Sequence, residues 1–321
     1  MKSIYFLLPD GLIRPSALFN AIEVFEKANV FLRNQGLRDY YKIKIVGYLP
    51  KQELTYISFK IETEDIRNLP DPDLIIIPAV EPANNYGNKK NTFLKSWVIE
   101  QYNKGTEVAS LCTGIFFLAE TGLLNHKECT THWMAKPILA DLFPDLQIVT
   151  DKIITEQNGI YTAGGGLSSS NLILHIVEKY NGRETALFCA KLLAIDIERN
   201  TQSGFAIFEG QKNHVDKPIK NIQDYIENNI EIRITVEFLA ENFAMSKRTL
   251  IRRFKAATGN TPIEYIQRIK VERAKRELET NRKTVNEIMY AVGYTDNKAF
   301  RNIFKKNTGL SPIDYRKKFN A

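Results

Sequence analysis

Phe254-Lys-Ala-Ala-Thr-Gly-Asn-Thr-Pro-Ile-Glu-Tyr265 and Phe304-Lys-Lys-Asn-Thr-Gly-Leu-Ser-Pro-Ile-Asp-Tyr315 carry one pattern twice. Phe, Lys, Thr, Gly, Pro, Ile and Tyr recur at an offset of 50, while Thr235-Val236 upstream matches Thr284-Val285 at an offset of 49. One residue is therefore inserted in the second copy, in the turn from Tyr294 to Lys298. A solenoid needs about three repeats, so the last third reads as a duplicated structural unit.

Each copy is punctuated as a helix-turn-helix. In the first, Val236, Leu239, Ala240 and Phe243 make a helical apolar stripe. A break follows at Ala244-Met245, and Ser246 is placed to cap a second helix. Leu250 and Phe254 turn that helix to a core, which leaves Lys247, Arg248, Arg252, Arg253 and Lys255 on its other faces. In the second copy Val285, Ile288, Met289 and Val292 form the stripe, Gly293 supplies the turn, and Phe300 and Phe304 anchor the next helix. Lys298, Arg301, Lys305 and Lys306 surround those anchors. Gly259 and Gly309 are placed to end the second helices. Thr261-Pro-Ile-Glu264 is a capping box, and Ser311-Pro-Ile-Asp314 resembles it with Asp in place of Glu. From Pro262 to about Glu279 one helix is expected, about 27 Å long at ~1.5 Å per residue. Adjacent turns of the DNA major groove lie about 34 Å apart. A spacer of this size suits two recognition helices on one face of a duplex.

Charge supports this reading. The net charge of +7 is unevenly spread over the 321 residues. From Val215 onward there are 22 basic and 13 acidic residues, against 22 and 24 in the rest. A basic third attached to a near-neutral remainder points to a polyanion-binding module and a second module with another task. No apolar run approaches the ~20 residues of a membrane span. MKSIYFLLPD is too short in its apolar part for a secretory leader, and Ile4–Leu8 reads instead as a buried strand. Cys112, Cys129 and Cys189 are odd in number and lack metal-ligand spacing, which fits a reduced cytoplasmic setting. No metal and no cofactor is implied.

In the first two thirds, apolar runs alternate with helical patterns. Ile4–Leu8, Tyr41–Leu49, Leu74–Pro78 and Glu107–Leu111 read as strands; Ser16–Gln35, Phe93–Lys104 and Ile115–Thr121 read as helices. Such alternation implies a doubly wound, mostly parallel α/β sheet with helices on both faces. Ligands of such sheets collect at the carboxyl ends of the strands. At one such end, Glu107-Val-Ala-Ser-Leu-Cys112-Thr113-Gly114 reads as strand, sharp turn and helix, and His132 follows another short apolar segment twenty residues on. Cys112 and His132 are candidates to converge as nucleophile and base, with Thr113 beside them.

The segment from about Ile219 to Phe319 resembles the AraC/XylS DNA-binding domain, including the closing Thr-Gly-Leu-Ser-Pro-Ile-Asp-Tyr-Arg316. That resemblance implies base reading by Arg248, Ile251 and Arg252 on the first recognition helix, and by Asn297, Lys298, Arg301 and Asn302 on the second. Arg suits guanine, Asn suits adenine, and Ile251 offers apolar contact only. Lys247, Lys255, Lys305 and Lys306 are expected on phosphates. Residues 1 to about 207 resemble the ThiJ/PfpI, or class I glutamine-amidotransferase-like, domain. The resemblance is carried by SLCTGIFFLAETGLL, TTHW, TAGGGLSSSNLILHIVEKYNG (162–182) and Arg199-Asn-Thr-Gln202. It implies a flavodoxin-like sheet and, for the whole chain, the GlxA-like regulator architecture. In that superfamily an acid before the first helix often assists the cysteine. Counting back from Glu23-Val-Phe25 puts Ala17 at its place, with Ser16 beside it. Asn171 stands where many relatives carry Asp, and Thr113 replaces the His of the peptidase-like members.

The expectation is a DNA-binding transcription regulator: a sensor and dimerisation domain over 1–208, a linker over 209–218 and a DNA-binding domain over 219–321. Double-stranded operator DNA, a small-molecule effector and a second copy of the chain are the expected partners. RNA polymerase is a further candidate, and no membrane is involved. The alternative is a Cys112-dependent hydrolase or hydratase, disfavoured by the missing acid. His214 is expected to be a solvated linker residue, His126 a loop residue, and His175 packed on a helix with Leu172, Ile173, Ile176 and Val177.

Overall fold

The structure is a computed structural model that describes residues 1–48, 52–53, 60–81 and 89–320. Contacts divide the chain into two units, Met1–Gln202 and Ser203–Ala321. No helix among the described residues is long and apolar enough to cross a membrane.

The first unit is built on β1 (Lys2–Leu7), β2 (Tyr41–Gly47), β3 (Gln52–Glu53), β4 (Lys60–Ile61), β5 (Glu64–Asp65), β6 (Leu74–Ile77), β7 (Glu107–Ser110), β8 (Glu128–Cys129), β9 (Gln147–Ile148), β10 (Ile154–Gln157) and β11 (Ile160–Ala163). Seven of them form one sheet in the order β10-β11-β7-β6-β1-β2-β5, parallel throughout except for β10 against β11. The expected Leu49 end of the second strand lies outside the described residues. Strands buried on both faces divide their side chains between two cores, because successive residues point to opposite faces. Leu74 and Ile76 join Ile4 and Phe6 on one face, while Ile75 and Ile77 join Tyr5 and Leu7 on the other. The first core is closed by α1 (Pro15–Asn34) and α5 (Ser168–Leu192), the second by α2 (Thr92–Asn103), α3 (Ile115–Ala119) and α4 (Lys136–Leu142). Chain order reverses between β1 and β6, so a crevice is expected at the carboxyl ends of β1, β6 and β7.

The second unit holds α6 (Lys217–Asn228), α7 (Val236–Asn242), α8 (Lys247–Thr258), α9 (Pro262–Thr280), α10 (Val285–Ala291), α11 (Asn297–Thr308) and α12 (Pro312–Phe319). It contains two cores. Tyr265 and Ile266, near the start of α9, pack with Ile222, Leu239, Leu250 and Phe254. Val271, Ala274 and Leu278, further along α9, pack with Ile288, Met289, Phe300, Phe304 and Tyr315. The long helix is thus the shared wall of two small domains. Ser246 and Asp296 cap α8 and α11 by accepting from Thr249 N–H and Ala299 N–H. Gly259 and Gly309 end them in the left-handed conformation. Thr261 and Glu264 form the full capping box on α9, and Thr284 with Glu287 forms another on α10. Ser311 caps α12 through Asp314 N–H.

The turns of the two copies differ. Both need a left-handed residue: Ala244 in the first (φ 51°) and Gly293 in the second (φ 72°). A Cβ on Gly293 would lie 2.5 Å from the Glu231 carbonyl oxygen and 2.7 Å from Lys270 Nζ, so only glycine fits there. Lys270, 5% exposed, donates to the carbonyls of Ile232 (3.0 Å) and Gly293 (3.4 Å).

The boundary between units falls at 202/203, upstream of the polar stretch 209–218, because residues 203–216 pack on the helices. Phe205 meets Phe319 edge to face, and Phe208 meets Tyr265 likewise. Lys275 Nζ donates to Ala206 O, and Glu272 Oε2 accepts from Phe208 N–H at 3.2 Å. Lys212 pairs with Asp224 and Glu227. His214 is accordingly not solvated: it is half-buried, 2.9 Å from Gln223 Oε1, and accepts from Asp216 N–H. A polar composition here reflects hydrogen bonding to the helical surface instead of freedom in water.

Candidate nucleic-acid interface and ligand pocket

On α8, Leu250 and Phe254 are fully buried, which fixes the opposite face outward. Arg248, Ile251, Arg252 and Lys255 are exposed there, Ile251 at 40%. Lys247 is also exposed and reaches Glu237 on α7 at 2.7 Å. Arg253 points elsewhere. Its guanidinium makes a forked pair with Asp216, at 3.0 Å from Nε and 2.7 Å from Nη2. Asp216 also caps α6, and the arginine beside it holds its carboxyl below the usual range. Arg253 is thus a structural clamp between two helices. On α11, Phe300 and Phe304 are fully buried, and Lys298, Arg301, Asn302, Lys305 and Lys306 are exposed. Asn297 is half-buried and donates to Asn286 Oδ1 at 2.7 Å, so this candidate base reader is held by α10.

In the first unit, β7 runs into a short 3-10 turn, Cys112–Gly114, and then α3. Cys112 has φ 54°, a strained conformation for a residue with a side chain. Two contacts over-determine it. Gly114 lies so close to β6 that a Cβ would fall 2.5 Å from the Pro78 carbonyl oxygen. Thr113 Oγ1 donates to the Val80 carbonyl at 2.6 Å, so its hydroxyl braces the turn. Cys112 is 4% exposed and packs with Ala17 and Ala79. Alanine therefore occupies the cysteine's apolar cluster at the position where an assisting acid is expected. Glu23 is exposed beside Lys27 on the next turn, not directed to Cys112.

His132 is half-buried, and its ring lies directly on Gly165: a Cβ there would be 2.0 Å from His132 Cδ2. Its Nδ1 accepts from Met134 N–H at 3.2 Å, which assigns the proton of the neutral ring to Nε2. Burial, helped by Arg14, lowers its pKa. The link between the cysteine and histidine segments is the hydrogen bond from Thr131 Oγ1 to Cys112 O, 3.0 Å. No Sγ–imidazole hydrogen bond is present among the described residues. Gln202 is the residue here that sequence reasoning passed over. Its side chain, 1% exposed, donates to Thr131 O at 2.7 Å and accepts from Gly165 N–H at 3.3 Å. The only signal for it was its place in the Arg-Asn-Thr-Gln segment. Asn171 donates to Asp196 O, and the His175 ring lies 2.7 Å from Glu156. All three cysteines are buried and free.

A profile described as the DJ-1/PfpI family matches residues 16–179, and one described as a helix-turn-helix domain matches residues 239–318. Over 318 residues the chain is 24% identical to the HTH-type transcriptional regulator GbdR of Pseudomonas aeruginosa strain UCBPP-PA14, covering 98% of this chain and 84% of that one. It is 25% identical over 217 residues to the HTH-type transcriptional regulator GlxA of Rhizobium meliloti strain 1021, covering 67% of this chain and 66% of that one. The crystal structure of an AraC family transcriptional regulator from Pseudomonas putida superposes with a TM-score of 0.52 at 16% identity. That match covers 60% of this chain and 100% of the other, and it concerns the fold alone.

Proposed function

This chain belongs to the DJ-1/PfpI family, carries an AraC-type helix-turn-helix domain and is a DNA-binding transcription regulator; from that premise we propose that its first unit senses a small metabolite without turning it over. The observation that carries the proposal is that Ala17 shares the small apolar cluster of Cys112 and Ala79, with no carboxylate in it. A thiol becomes a useful nucleophile when a base or a charged partner stabilises its thiolate. Here an alanine methyl occupies the place of the acid, and His132 is engaged at Nδ1 by a backbone amide. What remains is a buried cysteine beside a half-buried histidine, with Leu167 and Met134 exposed next to the segments of Gly165 and His132, a setting better suited to binding than to turnover. Wild-type protein is expected to show no turnover of amides, isonitriles or dicarbonyl compounds. A turnover abolished by Cys112→Ala would replace this reading with the enzymatic one.

In the second unit Arg248, Ile251 and Arg252 are proposed to read one major-groove segment. Lys298, Arg301 and Asn302 would read the next, with Asn297 free to join once it leaves Asn286. Lys247, Lys255, Lys305 and Lys306 are proposed phosphate contacts. The 19 residues of α9 span about 28 Å, a length that suits successive grooves. Two copies of the chain would double the site read, as dimeric regulators do, and RNA polymerase is a further proposed partner. The buried free thiols suit a reducing cytoplasm. Selecting duplexes from a random pool, with and without a metabolite library, tests the whole reading. A preferred sequence whose affinity responds to one compound is expected. Sequence-independent binding would refute base reading, and an affinity indifferent to every bound compound would refute sensing.

A further inference from the structure

The residue that ties the Thr131 and Gly165 loops together is also the last residue of its unit. Gln202 holds Thr131 and Gly165 through its side chain, with a longer contact to Thr130 Oγ1 at 3.4 Å. Its amide uses donor and acceptor at once, which neither Glu nor Ala can do. The fit is close: a Cβ on Gly164 would lie 3.0 Å from Gln202 Nε2. One peptide bond later the chain enters the second unit. There it is gripped again within six residues. Lys275 takes the Ala206 carbonyl and Glu272 takes the Phe208 amide. Both residues are under a tenth exposed and pair with each other at 2.9 Å, in the second half of the helix that both small cores share. Buried charges are costly to leave unpartnered, so this grip is specific to the backbone of 206–208.

We propose that Gln202 is a positioning residue that couples the loops at the Cys112 turn, through the chain, to the helix on which both reading heads are mounted. The inference rests on the proposed sensing site lying at these loops. A ligand that displaces the loops at His132 and Gly165 moves the Gln202 side chain, and the main chain of 203–208 carries the displacement to Glu272 and Lys275. Those two charges sit on α9 just past the point where it leaves the first core, beside Val271 and Ala274 of the second, so a pull there bears on the spacing of α8 and α11.

The test needs no identified effector, because Gly165→Ala supplies the displacement: its methyl would overlap the His132 ring. In the full-length chain, affinity for the duplex selected from a random pool is measured for wild type, Gly165→Ala, Gln202→Ala and the double variant. Gly165→Ala is expected to change Kd about fivefold or more with Gln202 present, and by less than about twofold when Gln202 is replaced. An equal change in both backgrounds overturns the proposal. Amide hydrogen exchange without DNA gives a second arm, which uses Gly165→Ala alone should Gln202→Ala fold poorly. The Phe208 amide, protected by Glu272, is expected to exchange faster in Gly165→Ala. Unchanged exchange at Phe208 overturns the coupling whatever the DNA result. Failure to select any duplex, with Phe208 exchange accelerated, strikes the DNA reading and leaves the coupling standing.

Discussion

The turn at Cys112 is held by atoms that do no chemistry. Gly114 sits against the Pro78 and Ile77 carbonyl oxygens, which belong to main chain and cannot move aside as a side chain would. Gly114→Ala is therefore expected to destabilise the first unit by about 1–3 kcal/mol, read as a lower urea midpoint with unchanged slope. His132 gives a pH dependence. Its folded pKa lies below the unfolded value, so the unfolded chain takes up its proton first as pH falls. Its contribution is fully present above the ordinary histidine range, near 6.5, and is lost as pH drops through the lowered folded value. The unfolding midpoint of the first unit is expected to fall between about pH 7 and 5, and His132→Gln should flatten that slope. An unaltered slope would show that the ring is neither buried nor crowded by Arg14 in solution. The turn was legible in Ser110-Leu111-Cys112-Thr113-Gly114, because a small-residue corner after a buried run has few alternatives. The brace from Thr113 to Val80 was not, because nothing in a hydroxyl tells which distant carbonyl it will meet.

At the scale of elements, Arg252 and Arg253 are neighbours in opposite surroundings. Arg252 is exposed; Arg253 is spent on Asp216. Arg252→Ala is expected to cost about 1–3 kcal/mol on the preferred duplex and to relax one position of its sequence. Arg253→Ala should instead lower the melting temperature of the second unit and leave the order of preferred sequences unchanged. Lys255→Ala should weaken every duplex alike and reduce the salt slope by about one, as titration at several salt concentrations would reveal. Helix ends, the exposed basic faces and the long connecting helix were open to sequence reading, since caps and apolar spacing act within four residues. The clamp spans 37 residues, and no local pattern separates Arg253 from the basic residues around it.

At the scale of the molecule, the second unit begins well before its first helix. A fragment starting at 219 loses Phe208, the Asp216 cap and the groups that satisfy Glu272 and Lys275. Burial of one large side chain is worth about 1.5–3 kcal/mol, and a cap about 1 kcal/mol. Fragment 203–321 is expected to exceed 219–321 in stability by about 2 kcal/mol or more, measured by chemical denaturation of the two side by side. Equal stabilities would mean that residues 203–216 only rest on the surface. Composition hid this, because a polar stretch looks the same whether water or a helix satisfies it.

The twin turns at Ala244 and Gly293 carry a historical consequence. The first tolerates a methyl, while the second is wedged between the Glu231 carbonyl and Lys270, where only a hydrogen has room. Overwriting copy two with copy one would import an alanine that cannot fit, whereas the reverse exchange would meet no such obstacle. The pair that began as equivalent parts has become a one-way substitution: the front can be rebuilt from the back, and the back only from itself.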